Sequence, residues 1–220
     1  PLHVYDADKL NGNLVMRKAK KREKCKALDE KDYIMSDEMI VISDDTSLHG
    51  IGGVMGGQNS GCSIDTSNVF LEVALFDPIS VTKTGRKLNL QSDARYRFER
   101  GIDFTSIDWG VNIATQMILD LCGGEVSEIV SDKIESPKLK VIEFDTSLIK
   151  TYGGISINLN EQTKILQNLG FEIKSQNNKN LQIIVPSFRP DIEGAADIVE
   201  EILRIYGFDK IEPLSLSRDK

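Results

Sequence analysis

The stretch 186–208, Pro-Ser-Phe-Arg-Pro-Asp-Ile-Glu-Gly-Ala-Ala-Asp-Ile-Val-Glu-Glu-Ile-Leu-Arg-Ile-Tyr-Gly-Phe, constrains the fold more than any other part of the chain. It reads as an extended segment, a proline-marked turn and an amphipathic helix that stops at Gly207. Apolar side chains recur at helical spacing at Ala195, Ile198, Val199, Ile202, Leu203 and Tyr206. The wet side carries Asp197, Glu200 and Glu201 at i, i+3 and i+4, with Asp191 and Glu193 just upstream. Like charges at that spacing repel by roughly 0.2–0.5 kcal/mol per pair, so something must offset them. Helix electrostatics is one answer: the dipole favours acids near the helix start, and Glu200 can pair with Arg204. A magnesium ion is the other, since it takes carboxylate oxygens and waters. Spacing alone leaves both open.

The chain has 220 residues, 40% hydrophobic and 28% charged, enough for one large or two small domains. No run is long enough to span a bilayer, and no signal-peptide pattern opens the chain. The first residue is Pro1, which reads as a processed or excised piece. Cys25, Cys62 and Cys122 are odd in number and far apart, so a disulfide framework is not expected and a reducing cytoplasm fits. His3 and His49 are the only histidines, too few for a His-rich zinc site. A net charge of −7 confines any polyanion contact to a local surface. Lys18, Lys20, Lys21, Arg22, Lys24 and Lys26 form one basic run, read as a solvated edge or a phosphate contact. Arg95, Arg97 and Arg100 alternate with Tyr96 and Phe98; if extended, the segment separates arginines from aromatics. Either a contact surface or internal salt bridges would use them.

Leu14–Lys18, Met39–Ser43 and Asn68–Ala74 read as strands. Six glycines between Gly50 and Gly61 read as a loop that lets backbone approach a ligand. It lacks the Gly-Lys-Ser/Thr ending of a P-loop. Pro78–Leu88 and Ser106–Leu121 read as helices, the second stopped by Gly123-Gly124. A boundary is placed at Ser131–Lys140 around Pro137. Beyond it come a strand at Val141–Phe144, helices at Thr146–Tyr152 and Asn160–Leu169, and a hairpin of Glu172–Ser175 with Leu181–Val185 across Gln176–Asn180.

Taken in order, both blocks resemble the β subunit of bacterial phenylalanyl–tRNA synthetase. The first resembles its B3/B4 editing module through Pro1-Leu2-His3-Val4-Tyr5-Asp6, Gly52-Gly53-Val54-Met55-Gly56-Gly57, Asn68-Val69-Phe70-Leu71-Glu72, Phe76-Asp77-Pro78 and Tyr96-Arg97-Phe98-Glu99-Arg100-Gly101. The second resembles its B5 domain through Leu169-Gly170-Phe171, Val185-Pro186-Ser187, Arg189 with Asp191, Asp197 with Glu200-Glu201, and Arg204-Ile205-Tyr206-Gly207. The resemblance implies an α+β chain: an N-terminally truncated editing domain at 1–135, then a small α/β B5 domain at 136–215 with winged-helix-like character.

It also implies an α2β2 ligase in the cytoplasm, with no membrane contact. The α subunit charges tRNA(Phe) with phenylalanine using ATP and magnesium, and the β subunit removes tyrosine attached by mistake. Carried over by position, Glu72 accepts the tyrosine hydroxyl, and His3 places the tRNA end or the attacking water. Gly53 and Gly56 keep the pocket wall bare, and Ser92 and Ala94 line it. The family usually has threonine where this chain has Ser92, so a methyl contact is lost. Asp191, Asp197, Glu200 and Glu201 become ligands of a magnesium ion shared with α. Part of the family's pocket precedes the Pro-Leu-His motif, so the piece alone is expected neither to charge nor to edit efficiently. A free-standing deacylase of the same fold and a non-catalytic tRNA or subunit scaffold are the rival readings.

Overall fold

The computed structural model describes residues 2–131, 137–177 and 179–212. Pro1 of the Pro-Leu-His motif, residues 132–136 of the boundary segment, Asn178 in the hairpin turn and residues 213–215 lie outside the described residues. The chain divides into two compact units, residues 1–135 and 136–220. The fold class is α+β: helices and strands alternate irregularly, and every strand pairing among the described residues is antiparallel.

In the first unit the strands are β1 (Leu2–Asp6), β2 (Val15–Lys18), β3 (Lys24–Lys26), β4 (Asp32–Ile34), β5 (Ile40–Ser43), β6 (Leu48–Ile51), β7 (Met55–Gly56) and β8 (Val69–Val73). Helices α1 (Pro78–Lys87), α2 (Asp93–Phe98) and α3 (Ser106–Cys122) follow. The main sheet runs β2-β5-β6-β7, β1 pairs with β8, and β3 pairs with β4. The glycine-rich stretch is therefore not a free loop. Strand β6 runs into it and β7 lies within it, and β6 is buried along its whole length. Helix α1 starts where Asp77 accepts the Ser80 amide at 2.7 Å, with Pro78 in the first turn. Met35, Met39, Val41, Ile51, Val81 and Phe98 form the centre of the core.

The segment with alternating arginines is helical, which corrects the extended reading. Six residues are too few for a helical period to show, so alternation was the only visible pattern. In α2, Arg95 is buried, ion-paired with Glu99 at 3.0 Å and bonded to the Leu90 carbonyl at 2.7 Å. Arg97 and Arg100 face away from it: each bonds a carbonyl four residues back, and Arg100 stacks 3.7 Å over the Tyr96 ring.

The second unit contains β9 (Val141–Asp145), α4 (Leu148–Gly153), α5 (Leu159–Asn168), β10 (Glu172–Gln176), β11 (Asn180–Ile184) and α6 (Ala195–Tyr206). Its sheet order is β10-β11-β9. Helix α6 lays Ile198, Val199, Ile202 and Leu203 against Phe144, Leu181 and Ile183. The apolar stripe read from the sequence is thus the stripe that is buried. Asn158 caps α5 by accepting the Glu161 amide at 2.9 Å. Among the described residues no helix is long and apolar enough to cross a membrane.

Candidate functional site

Strands β1 and β8 pair with His3 opposite Glu72 and Tyr5 opposite Phe70. Residues directly opposite in an antiparallel pair share a face, and alternate residues along one strand do too. His3, Tyr5, Phe70 and Glu72 therefore belong to one face of the ribbon. A recess of about 70 Å³ opens there, walled by Gly53–Gly56, Phe76 and Ala94 besides His3, Tyr5 and Glu72. An engineered cavity of about 150 Å³ takes up benzene. This recess is smaller and open to one side.

Bare backbone is what lets the parts meet. A Cβ built on Gly56 would stand 2.2 Å from His3 Cε1 and 2.9 Å from each ring nitrogen. Gly53 has φ +69°, a left-handed conformation, and a Cβ there would meet Val81 Cγ2 at 2.7 Å. The recess thus has room for the imidazole only because position 56 has no side chain.

The Tyr5 hydroxyl donates to Glu72 Oε2. Burial raises the Glu72 carboxyl above its usual range, and the Tyr5 bond opposes that shift. Burial, then the charge of Glu72, raises the Tyr5 phenol, so it stays protonated and remains a donor. Burial lowers His3, which leaves the imidazole mainly neutral at pH 7. His3 Nε2 is buried without a hydrogen-bond partner among the described residues. The rings of His3 and Tyr5 meet edge-on at 4.4 Å. A neutral imidazole with an open nitrogen, beside a desolvated carboxyl and a bare backbone wall, can hold a water or a hydroxyl.

The acidic residues of the second unit are arranged differently from the sequence reading. Glu201 is buried, not on the wet side, and binds Arg189 at 2.8 Å and Arg204 at 2.7 Å. The pairing foreseen for Glu200 with Arg204 falls to Glu201 instead. Asp191 takes both Nε and Nη2 of Arg189, at 2.8 and 2.6 Å. Asp197 Oδ2 accepts the amides of Glu193 and Gly194, each at 2.8 Å, and so closes the start of α6. Glu200 is exposed. Among the described residues no group of three or more His, Cys, Asp or Glu is placed to hold a metal ion. As arranged, the four carboxylates do not fit a magnesium site: two are committed to guanidinium groups and one to backbone amides.

Arg189, then Arg204, holds the Glu201 carboxyl at about 2. Its folded value lies below its unfolded one, so the stabilisation is full above about pH 4.5 and is lost as pH falls towards 2. That loss is about 3 kcal/mol at most. Glu201→Gln should flatten the acid limb of the stability profile over that window, read by urea unfolding monitored by circular dichroism. An unchanged limb would show that the arginine pairs contribute nothing to folding.

Two comparisons with protein families bear on these sites. The model described as the B3/4 domain matches residues 1–123, which hold the whole recess. The chain belongs to the B3/4 domain family. A second model, the tRNA synthetase B5 domain, matches residues 142–208. The phenylalanine–tRNA ligase beta subunits of Mesorhizobium japonicum and Bartonella quintana are 44% and 45% identical to this chain, each over 98% of it and 27% of their own length. That of a Wolbachia species is 44% identical over 97% of the chain. The chain spans about a quarter of the length of the curated relatives it matches. An N-terminal fragment of the phenylalanyl-tRNA synthetase beta-subunit from Pyrococcus horikoshii superposes with a TM-score of 0.44 at 18% identity, covering 93% of this chain and 59% of that one.

Within the B3/4 unit, His3, Gly53, Gly56, Glu72 and Ala94 come together at the recess. Ser92 is not among the lining residues. Its hydroxyl donates to the Val54 carbonyl and accepts the Arg95 amide at 3.0 Å, so it caps α2 and ties that helix to the glycine turn. The methyl that threonine would add is therefore a cap question first. Among the lining residues that the sequence reading did not name as site members are Tyr5, Met55 and Phe76. All three stand in the motifs that carry the resemblance without being singled out there, and only a strand assignment for Leu2–Asp6 would have placed Tyr5 beside His3.

The next glycine of the B3/4 turn is a control of a different kind. A Cβ on Gly57 would meet the His49 carbonyl oxygen at 2.8 Å and its carbon at 2.9 Å, both backbone. Strand β6 cannot move aside as a ring can. Gly57→Ala should cost about 1–3 kcal/mol of stability, measured as a lowered urea midpoint. An unchanged midpoint would show that β6 yields at this point.

Proposed function

We propose that this chain is the part of a phenylalanine–tRNA ligase β subunit that carries the editing pocket and the α-contacting B5 unit. In this reading the α subunit joins phenylalanine to tRNA(Phe) with ATP, in a cytoplasmic α2β2 enzyme. The recess clears tyrosine from mischarged tRNA(Phe) by ester hydrolysis. The observation that carries the reading is the Glu72 carboxyl facing His3 across paired strands, in a recess kept open at Gly56.

The chemistry follows from satisfaction of buried groups. A tyrosyl hydroxyl reaching Glu72 finds an acceptor, whereas a phenylalanyl ring leaves that desolvated oxygen without a donor. His3, neutral and with Nε2 open, orients the attacking water or the terminal ribose. Magnesium and ATP belong to charging by the assembled enzyme, and no step is assigned to the four acids of the B5 unit. The B5 unit serves instead as the docking body for α. The test is hydrolysis of tyrosyl-tRNA(Phe) by the assembled α2β2 enzyme and by this chain alone. Tyrosine release by the assembly, and little by the chain alone, is expected; no release by the assembly would end the reading.

A further inference from the structure

The editing reading assigns Glu72 to an incoming hydroxyl, yet one of its oxygens is already taken from within. Tyr5 is 1% exposed, and its hydroxyl donates to Oε2. Oε1 accepts no hydrogen bond from any described residue, although Glu72 lines the recess. The Tyr5 ring packs against three others: His3 edge-on at 4.4 Å, His49 edge-on at 6.3 Å and Phe70 tilted at 6.3 Å. Its backbone is fixed by the ladder to β8 and by an isolated bridge to Gly61. The phenol therefore has nowhere to swing, and the carboxylate it holds cannot rotate freely.

We infer that Tyr5 is a positioning residue for specificity: its phenol fixes Glu72 by Oε2 and leaves Oε1 as the single acceptor presented to a para-hydroxyl in the recess. The inference rests on the editing reading and names a second residue within the same site. A carboxylate free to rotate could turn towards water at the mouth and would accept a ligand hydroxyl in several poses. One held by a buried donor accepts in one pose, which is what separates a hydroxylated ring from a bare one. The same bond stabilises the charged form of Glu72 against the desolvation that opposes it. The titratable groups around Glu72 and its Tyr5 partner are His3 on β1, mainly neutral, His49 on β6, and Cys25 on β3, whose thiol burial pushes up to about 11 so that it stays neutral.

The test uses full-length β assembled with α, and hydrolysis of tyrosyl-tRNA(Phe) against phenylalanyl-tRNA(Phe) at several pH values. Tyr5→Phe removes one oxygen and keeps the ring, so the packing survives. It is expected to lower the tyrosine-over-phenylalanine ratio about tenfold and to move the acid limb of tyrosine clearance to higher pH. Placing 3-fluorotyrosine at position 5, a stronger donor, moves that limb the other way. A parent-like ratio and limb in both variants overturns the inference. Glu72→Ala separates the two readings. If it collapses the ratio while Tyr5→Phe does not, only the positioning role of Tyr5 falls. If it too leaves the ratio intact, Glu72 senses no hydroxyl and the editing reading falls with it.

Discussion

Tyrosyl-tRNA(Phe) accumulates when the assembled enzyme carries Glu72→Ala, while charging with phenylalanine proceeds at its normal rate. The carboxyl is desolvated, so a hydrogen bond to it counts for about 1.5–3 kcal/mol, or roughly 10- to 100-fold in tyrosine clearance. The substitution has a side effect that must be separated. It leaves the buried Tyr5 hydroxyl without an acceptor, at a cost of about 1–3 kcal/mol to folding. The double variant Glu72→Ala with Tyr5→Phe removes both partners and restores most of that stability. Clearance in the double variant should remain as low as in Glu72→Ala. Recovery of clearance with stability would mean that the first loss was structural, and that Glu72 has no part in selecting tyrosine.

Much of the second unit was legible in the sequence. Helix α6 announces itself by a clean apolar period and by Gly207 at its end, and its stripe is the buried one. What escaped was the fate of its acids. The main partner of Glu201 is Arg189, twelve residues upstream and outside the helix, so no local pattern could reveal it. Without that arginine, an acid at i+4 from Asp197 counts as solvated. The offset that the repulsion demanded is present, but as guanidinium groups and capped amides.

The recess was legible only in pieces. His3, Gly56 and Glu72 are far apart in sequence, and no spacing rule links them; the order of motifs did. The bond between Tyr5 and Glu72 was invisible for two reasons. Leu2–Asp6 is too short to show a strand period, and nothing in the local pattern tells a buried tyrosine from a donor aimed at a carboxylate on another strand. The glycine-rich stretch misled in the same way. Composition called for a loop, whereas ladder bonds to β5 hold β6 in the sheet and buried. Tertiary pairing decided both cases, and pairing is what a single local window cannot see.

Gly56→Ala should abolish tyrosine clearance while leaving the protein folded, and the contrast with Gly57→Ala carries the argument. At position 56 the atom in the way is the far tip of the His3 ring, 2.2 Å from the new methyl carbon. The ring can turn about its own side-chain torsions, so the fold absorbs the methyl at small cost. The imidazole cannot then keep its place beside Glu72. A displacement of about 1 Å in a positioned group can cost about 100-fold in rate, and this shift is larger than that. Clearance of tyrosyl-tRNA(Phe) by the assembled enzyme should therefore fall by about 100-fold or more, with an unfolding midpoint close to the parent. At position 57 the obstacle is the backbone of His49, and stability falls first. His3→Ala combined with Gly56→Ala completes the comparison. With the ring gone the three nearest obstacles to the methyl go with it, so adding it should cost nothing further. A parent-like clearance rate in Gly56→Ala alone would show that the imidazole does its work from some other place, or does none.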